Sequence, residues 1–174
     1  MPHLHISAQH GDDLILRRMK RRHLGRDIIR FCNEARRRRP DVAFGADIIA
    51  GFPTESWSAH RQTMAMIKDA GISYLHVFPY SPRPSTPAAD MPQLDGVVIK
   101  KRAGELRELG EAQLHQHLET VIGTTDRMLV ESGNIGHGRN FAKIRLDQPF
   151  LPASTVVDVK IYQRHQDMLL AYAV

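Results

Sequence analysis

Asp47-Ile-Ile-Ala-Gly-Phe-Pro-Thr-Glu55 carries the strongest local signal for a ligand site in this chain. Its apolar half reads as the end of a buried strand, and Gly51-Phe-Pro53 breaks that strand sharply. Thr54-Glu55-Ser56 then offers N-cap and first-turn residues for a helix. A strand that ends in a glycine turn and feeds a helix is where parallel α/β folds hold ligands. Gly51 would let the backbone approach a bound group closely. The same residues also suit an ordinary βα turn, and a short glycine motif does not separate the two readings. His3 and His5 stand at i and i+2 on one strand face and could share a metal. No third ligand stands near them in sequence, and polar lining of a barrel interior suits them better. Cys32 is the single cysteine, which excludes an internal disulfide and any site built from several thiolates of this chain.

The charge is unevenly placed. Residues 17–39 hold eleven lysines and arginines, opposed only by Asp27 and Glu34, within a net charge of +5. That density points to a polyanion such as RNA, met through phosphates, or to a solvated arginine-rich helix face. No run of about 18 apolar residues exists and the start of the chain lacks an apolar signal region, so a cytoplasmic protein is expected.

The elements that must position these residues follow from periodicity. Residues 2–8 alternate as a strand, with Leu4, Ile6 and Ala8 on the face opposite the histidines. A helix through Leu14, Ile15 and Met19 follows, then a second over about 26–39 that buries Ile28, Ile29, Cys32 and Ala35 and stops at Pro40. A strand over 42–50 leads into the glycine turn. A helix over about 56–70 comes next, with Met64 and Ile67 inward and Gly71 just past its end. Residues 73–78 read as another buried strand, running into a stiff loop with four prolines at 79–87. A long helix is expected over 97–121, with Ile99, Ala103, Leu106, Leu109, Leu114 and Leu118 as its apolar stripe; Gly104 and Gly110 weaken its continuity.

Beyond Gly123 only strands are expected, over 127–131, 141–146, 155–162 and 168–174, separated by Gly-, Asn- and Pro-containing turns. Helices alternate with strands before that point and not after it. The fold class is therefore α/β: part of a β/α barrel over 1–122, then a small all-β barrel over 123–174. Three strands are too few to close a β/α barrel and would leave two exposed edges. A missing first half is expected, as in a C-terminal fragment or a split gene product.

Four segments in order carry a family resemblance: His3-Leu-His-Ile-Ser-Ala-Gln-His-Gly-Asp-Asp13, Ile15-Leu-Arg-Arg-Met-Lys-Arg21, Asp47-Ile-Ile-Ala-Gly-Phe-Pro-Thr-Glu55 and Val77-Phe-Pro-Tyr-Ser-Pro-Arg-Pro-Ser-Thr-Pro-Ala88. With them the chain resembles the C-terminal portion of the radical S-adenosylmethionine methylthiotransferases that act on tRNA. Within these it is most similar to the branch that modifies N6-threonylcarbamoyladenosine at position 37. Leu129-Val-Glu131 and Gly136-His-Gly-Arg-Asn-Phe141, with the strands after them, are similar to the TRAM domain, a small tRNA-binding β-barrel.

The resemblance implies a fold, a reaction and a set of residues. The fold is the second half of a partial radical S-adenosylmethionine barrel followed by a TRAM barrel. In the family a [4Fe-4S] cluster on a Cys-x3-Cys-x2-Cys loop reduces S-adenosylmethionine to a radical that activates C2 of the adenine. A second cluster takes part in sulfur insertion, and a second S-adenosylmethionine supplies the methyl group. Clusters need thiolate ligands, and neither cysteine set is in these 174 residues, so catalytic and metal residues are expected to lie elsewhere. For S-adenosylmethionine the resemblance implies Gln9 at the ribose or methionine part, and Arg21 on the carboxylate. It places Ile49 and Gly51 against the adenine, with Phe78 and Tyr80 beside it. For tRNA it implies phosphate contacts from Arg83, Arg127, Arg139, Lys143 and Arg145. The family usually has Gln-Ser-Gly where Gln9-His10-Gly11 stands, Pro-Gly-Thr where Pro84-Ser85-Thr86 stands, and an aromatic residue where His60 stands. Ser85 carries a Cβ in a tight loop where a positive φ would be costly. Two functions follow: a fragment of a tRNA methylthiotransferase that needs its missing N-terminal half, or a catalytically inactive RNA-binding module.

Overall fold

The computed structural model describes residues 1–147 and 150–174. The first elements are β1 (His3–Gln9), α1 (Asp13–Arg18), α2 (Gly25–Arg38), β2 (Ala43–Ala50), α3 (Trp57–Ala70), β3 (Tyr74–Pro79) and α4 (Gly96–Thr120). Five strands follow: β4 (Thr125–Ser132), β5 (Ile135–Gly138), β6 (Lys143–Leu146), β7 (Val156–His165) and β8 (Met168–Ala173). The residues group into two compact units. One joins Leu4–Pro40 to Phe44–Gln113, and the other joins Met1–His3 and Asp41–Ala43 to Leu114–Val174. The class is mixed α/β with a small closed β-barrel, as the periodicity predicts.

In the β/α unit the sheet order is β1-β2-β3, and β2 pairs in parallel with β3. Central β2 carries Ala43, Phe44, Ala46, Ile48 and Ala50, all buried. The flanking strands are not buried as expected. Leu4 on β1 is 42% exposed and Phe78 on β3 is 52% exposed. An apolar run alone cannot show how many neighbours a strand has, and β1 and β3 each have one.

Local signals set the helix ends. Asp12 caps α1 by accepting from the Ile15 N–H (2.9 Å), and Ser56 caps α3 by accepting from the Ala59 N–H (3.1 Å). Gly71, with φ 59°, closes α3 in the left-handed conformation. The buried faces are rotated from two expectations. Ile15 and Leu16 are buried in α1 while Leu14 is exposed, and Met66 rather than Met64 joins Ile67 inside α3. Both methionines fit a helical stripe, so the choice falls to the surface that the helix docks on. α4 runs unbroken through both of its interior glycines. At Gly110 a Cβ would stand 2.9 Å from the Leu75 Cβ, so the absence of a side chain lets α4 lie close to β3.

The second unit closes a barrel in the order β4-β5-β6-β8-β7. All its pairings are antiparallel except β6 with β8. Alternation puts Met128, Val130, Ile144, Leu146, Val159, Ile161, Leu169 and Ala171 inside, joined by Leu118 from the end of α4. β5 was not among the expected strands, because Ile-Gly-His-Gly reads locally as a turn. Phe141 was expected in a strand but has φ 72° in the turn before β6.

Candidate functional site

The C-terminal ends of β1, β2 and β3 open onto a cleft of about 600 Å3 in the β/α unit. Its lining includes Gln9 from the end of β1, Arg21 after α1, Ile49 on β2, and Phe78 and Tyr80 at the end of β3. Arg83 of the proline loop lies on the same lining. Register explains the juxtaposition on two of the strands: Ile49 pairs with Phe78, so their side chains share one face. Phe52, itself on the lining, packs with Ile15 and Ala59, with Ile49 and Tyr80 against them, and the Phe52 and Tyr80 rings meet edge-on at 5.3 Å. The Tyr80 hydroxyl is buried without a hydrogen-bond partner among the described residues. Gln9 and Lys20, both on the lining, take φ 67° and 57°. Such conformations cost a residue with a Cβ about 1 kcal/mol or more, and they cluster at ligand sites. Ser85 also takes a positive φ, 66°.

Gly51 is not on that lining. Its φ is +75°, and a Cβ there would stand 2.7 Å from Ile99 of α4. The glycine serves the turn and the helix behind it rather than a group in the cleft. This departs from the expectation that Gly51 faces the adenine, because the docking of α4 lies outside any local motif. Sequence reasoning also missed Arg18, Asp47 and Thr86 on the lining. The Arg18 guanidinium donates to the Thr54 hydroxyl and so ties the end of α1 to the glycine turn.

Under the turn lies a buried ionic cluster. Glu55 accepts from the backbone N–H groups of Gly51 (2.5 Å) and Phe52 (3.1 Å), which holds the turn in place. Its other oxygen lies 3.4 Å from His60 Nδ1 and 3.3 Å from the Arg102 guanidinium. His10 Nε2 lies 3.9 Å from the first oxygen, the one that accepts from the backbone, at ion-pair rather than hydrogen-bond distance. Arg102 also donates to the Glu55 carbonyl (2.8 Å), and His60 Nε2 meets Glu105 at 2.8 Å. Burial by itself would push the Glu55 carboxyl up, but the His10 and His60 imidazoles and the Arg102 guanidinium outweigh it and hold it down at about 2. Glu55, His10 and His60 are thus parts of one structural anchor.

On the barrel, Arg127, Lys143 and Arg145 stand on the outer face. Register lays out a row from Leu129 through His137 to Lys143 across β4, β5 and β6. Arg127 lies 3.8 Å from Asp158. Arg139 is engaged inside the unit: its backbone N–H and guanidinium both donate to Asp126, at 3.1 and 2.6 Å. That pairing leaves Arg139 a weaker phosphate ligand than the resemblance implies.

An iron–sulfur cluster does not fit this chain. Cys32 is buried on α2, and burial, partly offset by Arg36, pushes its thiol up to about 11. Cys32 should therefore resist a thiol reagent in the folded protein and react fully in denaturant. Fast labelling of the native chain would contradict its burial.

No family model matches the chain. Similarity to curated proteins is extensive. Over 148 residues the chain is 51% identical to a threonylcarbamoyladenosine tRNA methylthiotransferase of Rickettsia prowazekii, covering 85% of this chain and 35% of that protein. It is 34% identical over 178 residues to a tRNA-2-methylthio-N(6)-dimethylallyladenosine synthase of Agrobacterium fabrum, covering 98% of this chain and 39% of that one. A synthase of the same name from Bartonella bacilliformis is 36% identical over 171 residues, 92% of this chain and 36% of its own. The chain thus spans between a third and two fifths of the length of these three relatives. Over that portion the chain is homologous to the tRNA methylthiotransferases.

Proposed function

We propose that this chain is the cofactor-wall and tRNA-binding portion of a methylthiotransferase acting on C2 of N6-threonylcarbamoyladenosine 37 in tRNA. In this reading it works with an N-terminal half that carries the iron–sulfur clusters and lies outside these residues, and the setting is cytoplasmic. The observation that carries the reading is the cleft, which collects Gln9, Arg21, Ile49, Phe78 and Tyr80 from separate elements. Their chemistry fits S-adenosylmethionine: a guanidinium for its carboxylate, an amide for a hydroxyl or amine, and aliphatic and aromatic surface for its adenine. The buried, unpartnered Tyr80 hydroxyl is a further polar group with bonding capacity to spare. When bound, S-adenosylmethionine supplies the methyl group of the product. The residues of this chain bind and orient it and keep water from one side. Arg83 on the cleft rim, with Arg127, Lys143 and Arg145 on the barrel, would hold tRNA phosphates. The domain division proposed with it puts the β/α portion in 1–122 and the TRAM-like barrel in 123–174. No described helix is long and apolar enough to cross a membrane.

The test is complementation in cells lacking the modification. The chain co-expressed with a cluster-bearing N-terminal half should restore the 2-methylthio nucleoside, read by mass spectrometry of digested tRNA. Arg21→Ala should lower its yield at least about tenfold, the usual loss when a charged hydrogen bond to a ligand is removed. Unmodified tRNA in cells that hold both soluble halves would sink the proposal.

A second reading, an RNA-binding module without chemistry, is favoured by the lone buried Cys32. Both readings need tRNA affinity that falls steeply with salt, because released counterions set the slope. The double variant Lys143→Glu, Arg145→Glu should weaken binding about tenfold or more and flatten that slope by about two phosphate contacts. Salt-independent binding would remove both readings.

A further inference from the structure

We propose that His5, Asp47 and His76 form a binding site for a divalent transition-metal ion beside the cleft, which Asp47 lines. Each residue comes from a different strand, β1, β2 and β3, and Asp47 and His76 are register partners. Asp47 Oδ1 lies 2.9 Å from His5 Nε2 and 3.4 Å from His76 Nδ1, and the three candidate ligand atoms all lie within 4.8 Å of one another. The two imidazoles face each other at 4.9 Å between centroids with a 41° tilt. Bonds of about 2.0–2.1 Å in a tetrahedral site separate ligand atoms by about 3.3 Å. The Asp47–His76 spacing already meets that value. The shorter His5–Asp47 hydrogen bond opens to it by a few tenths of an ångström.

The scaffold is stiff where it matters. Asp47 sits on the central strand between Ala46 and Ile48, both fully buried, so its backbone cannot shift. No lysine or arginine pairs with Asp47 among the described residues; its charge meets only the two imidazoles. The side chains are 35%, 29% and 58% exposed for His5, Asp47 and His76, so an ion could enter from solvent. Three protein ligands leave at least one coordination position open, the pattern of a site that also binds something exchangeable. Two imidazoles and a carboxylate suit Zn2+, Fe2+, Ni2+ or Mn2+ and not a cluster or Cu+, which need sulfur. Asp47 shares the cleft lining with Ile49 and Phe78, so the site adjoins that cavity. His3 takes no part, and its ring stacks on Phe141 at 4.8 Å. The site stands on the geometry of the β/α unit alone and does not depend on the tRNA reading.

The experiment uses the purified, tag-free chain, stripped of metal and titrated with Zn2+ against a chromophoric chelator. Visible absorption of the Co2+-loaded form then reports coordination number. One ion per chain is expected, with a low-coordinate Co2+ spectrum. His76→Ala and Asp47→Asn should each weaken binding at least about 100-fold, more than the loss typical of outer partners. His165→Ala, exposed at the end of β7, and His115→Ala, whose native ring meets Asp167 at 2.7 Å, should leave it unchanged. His76 is exposed on an edge strand, so its alanine variant keeps the fold even if Asp47→Asn does not. The proposal is overturned by absence of stoichiometric Zn2+ binding. It is equally overturned by binding that survives His76→Ala or that is lost with His115→Ala or His165→Ala.

Discussion

Glu55→Gln should destabilise the β/α unit by about 3 kcal/mol, the low end of the cost of removing one partner from a buried ion pair. The amide oxygen can still accept from one backbone N–H of the Gly51 turn, but the charge that faces Arg102, His10 and His60 is gone. Arg102, 5% exposed, is then left as a buried cation without its counter-ion. The pH dependence carries a definite sign. The Glu55 carboxyl is held at about 2 in the folded chain, below its ordinary 4.5. A depressed carboxylate contributes stability that is present above the unfolded value and is lost as pH falls through the folded one. The native chain should therefore hold a plateau above about pH 5 and lose roughly 3 kcal/mol between about pH 4.5 and pH 2. The gap between native and Glu55→Gln should close across that same window. Trp57, the only tryptophan, stacks on His60 at 5.3 Å and reports this unit directly in a urea melt. A variant as stable as the native chain at pH 7, or a gap that does not narrow in acid, would remove Glu55 as the anchor.

Gly51→Ala should cost about 2–4 kcal/mol, from the left-handed backbone at φ +75° and from overpacking. The new Cβ would stand 2.7 Å from Ile99 Cγ1. Only the second part can be relieved by changing the neighbour. In the Gly51→Ala, Ile99→Ala pair the double variant should lose less than the sum of the singles, with the backbone part still lost. Strict additivity, measured in the same urea melts, would show that α4 does not constrain the turn. A Gly51→Ala variant of native stability that failed only in ligand binding would restore the cofactor-facing reading of this glycine.

How much of this was legible in sequence depends on the range over which each feature is decided. The caps Asp12 and Ser56 and the stop at Gly71 act within one helical turn, so contiguous residues specify them. The alternation in β4, β6, β7 and β8 is equally local and predicts the barrel core. β5 escaped because Ile-Gly-His-Gly holds no apolar period; its extended form is imposed by pairing with β4 and β6. Met66 replaced Met64 in the core because both satisfy the helical period and only the docking surface chooses between them.

The candidate site divides the same way. The chemical types of Gln9, Arg21, Ile49, Phe78 and Tyr80, and the order of the segments that carry them, are properties of the chain as a string, and they carry its resemblance to the methylthiotransferases. What only the tertiary structure decided is which way those residues turn and what they meet. Gly51 looked like a ligand residue until α4, almost fifty positions later, was seen to occupy its open side. His5 lay beside His3 in sequence, yet its partners are Asp47 and His76 on the next strands. Hydrogen-bonded register and helix docking bring together residues far apart in the chain, and neither leaves a mark in any short stretch of it.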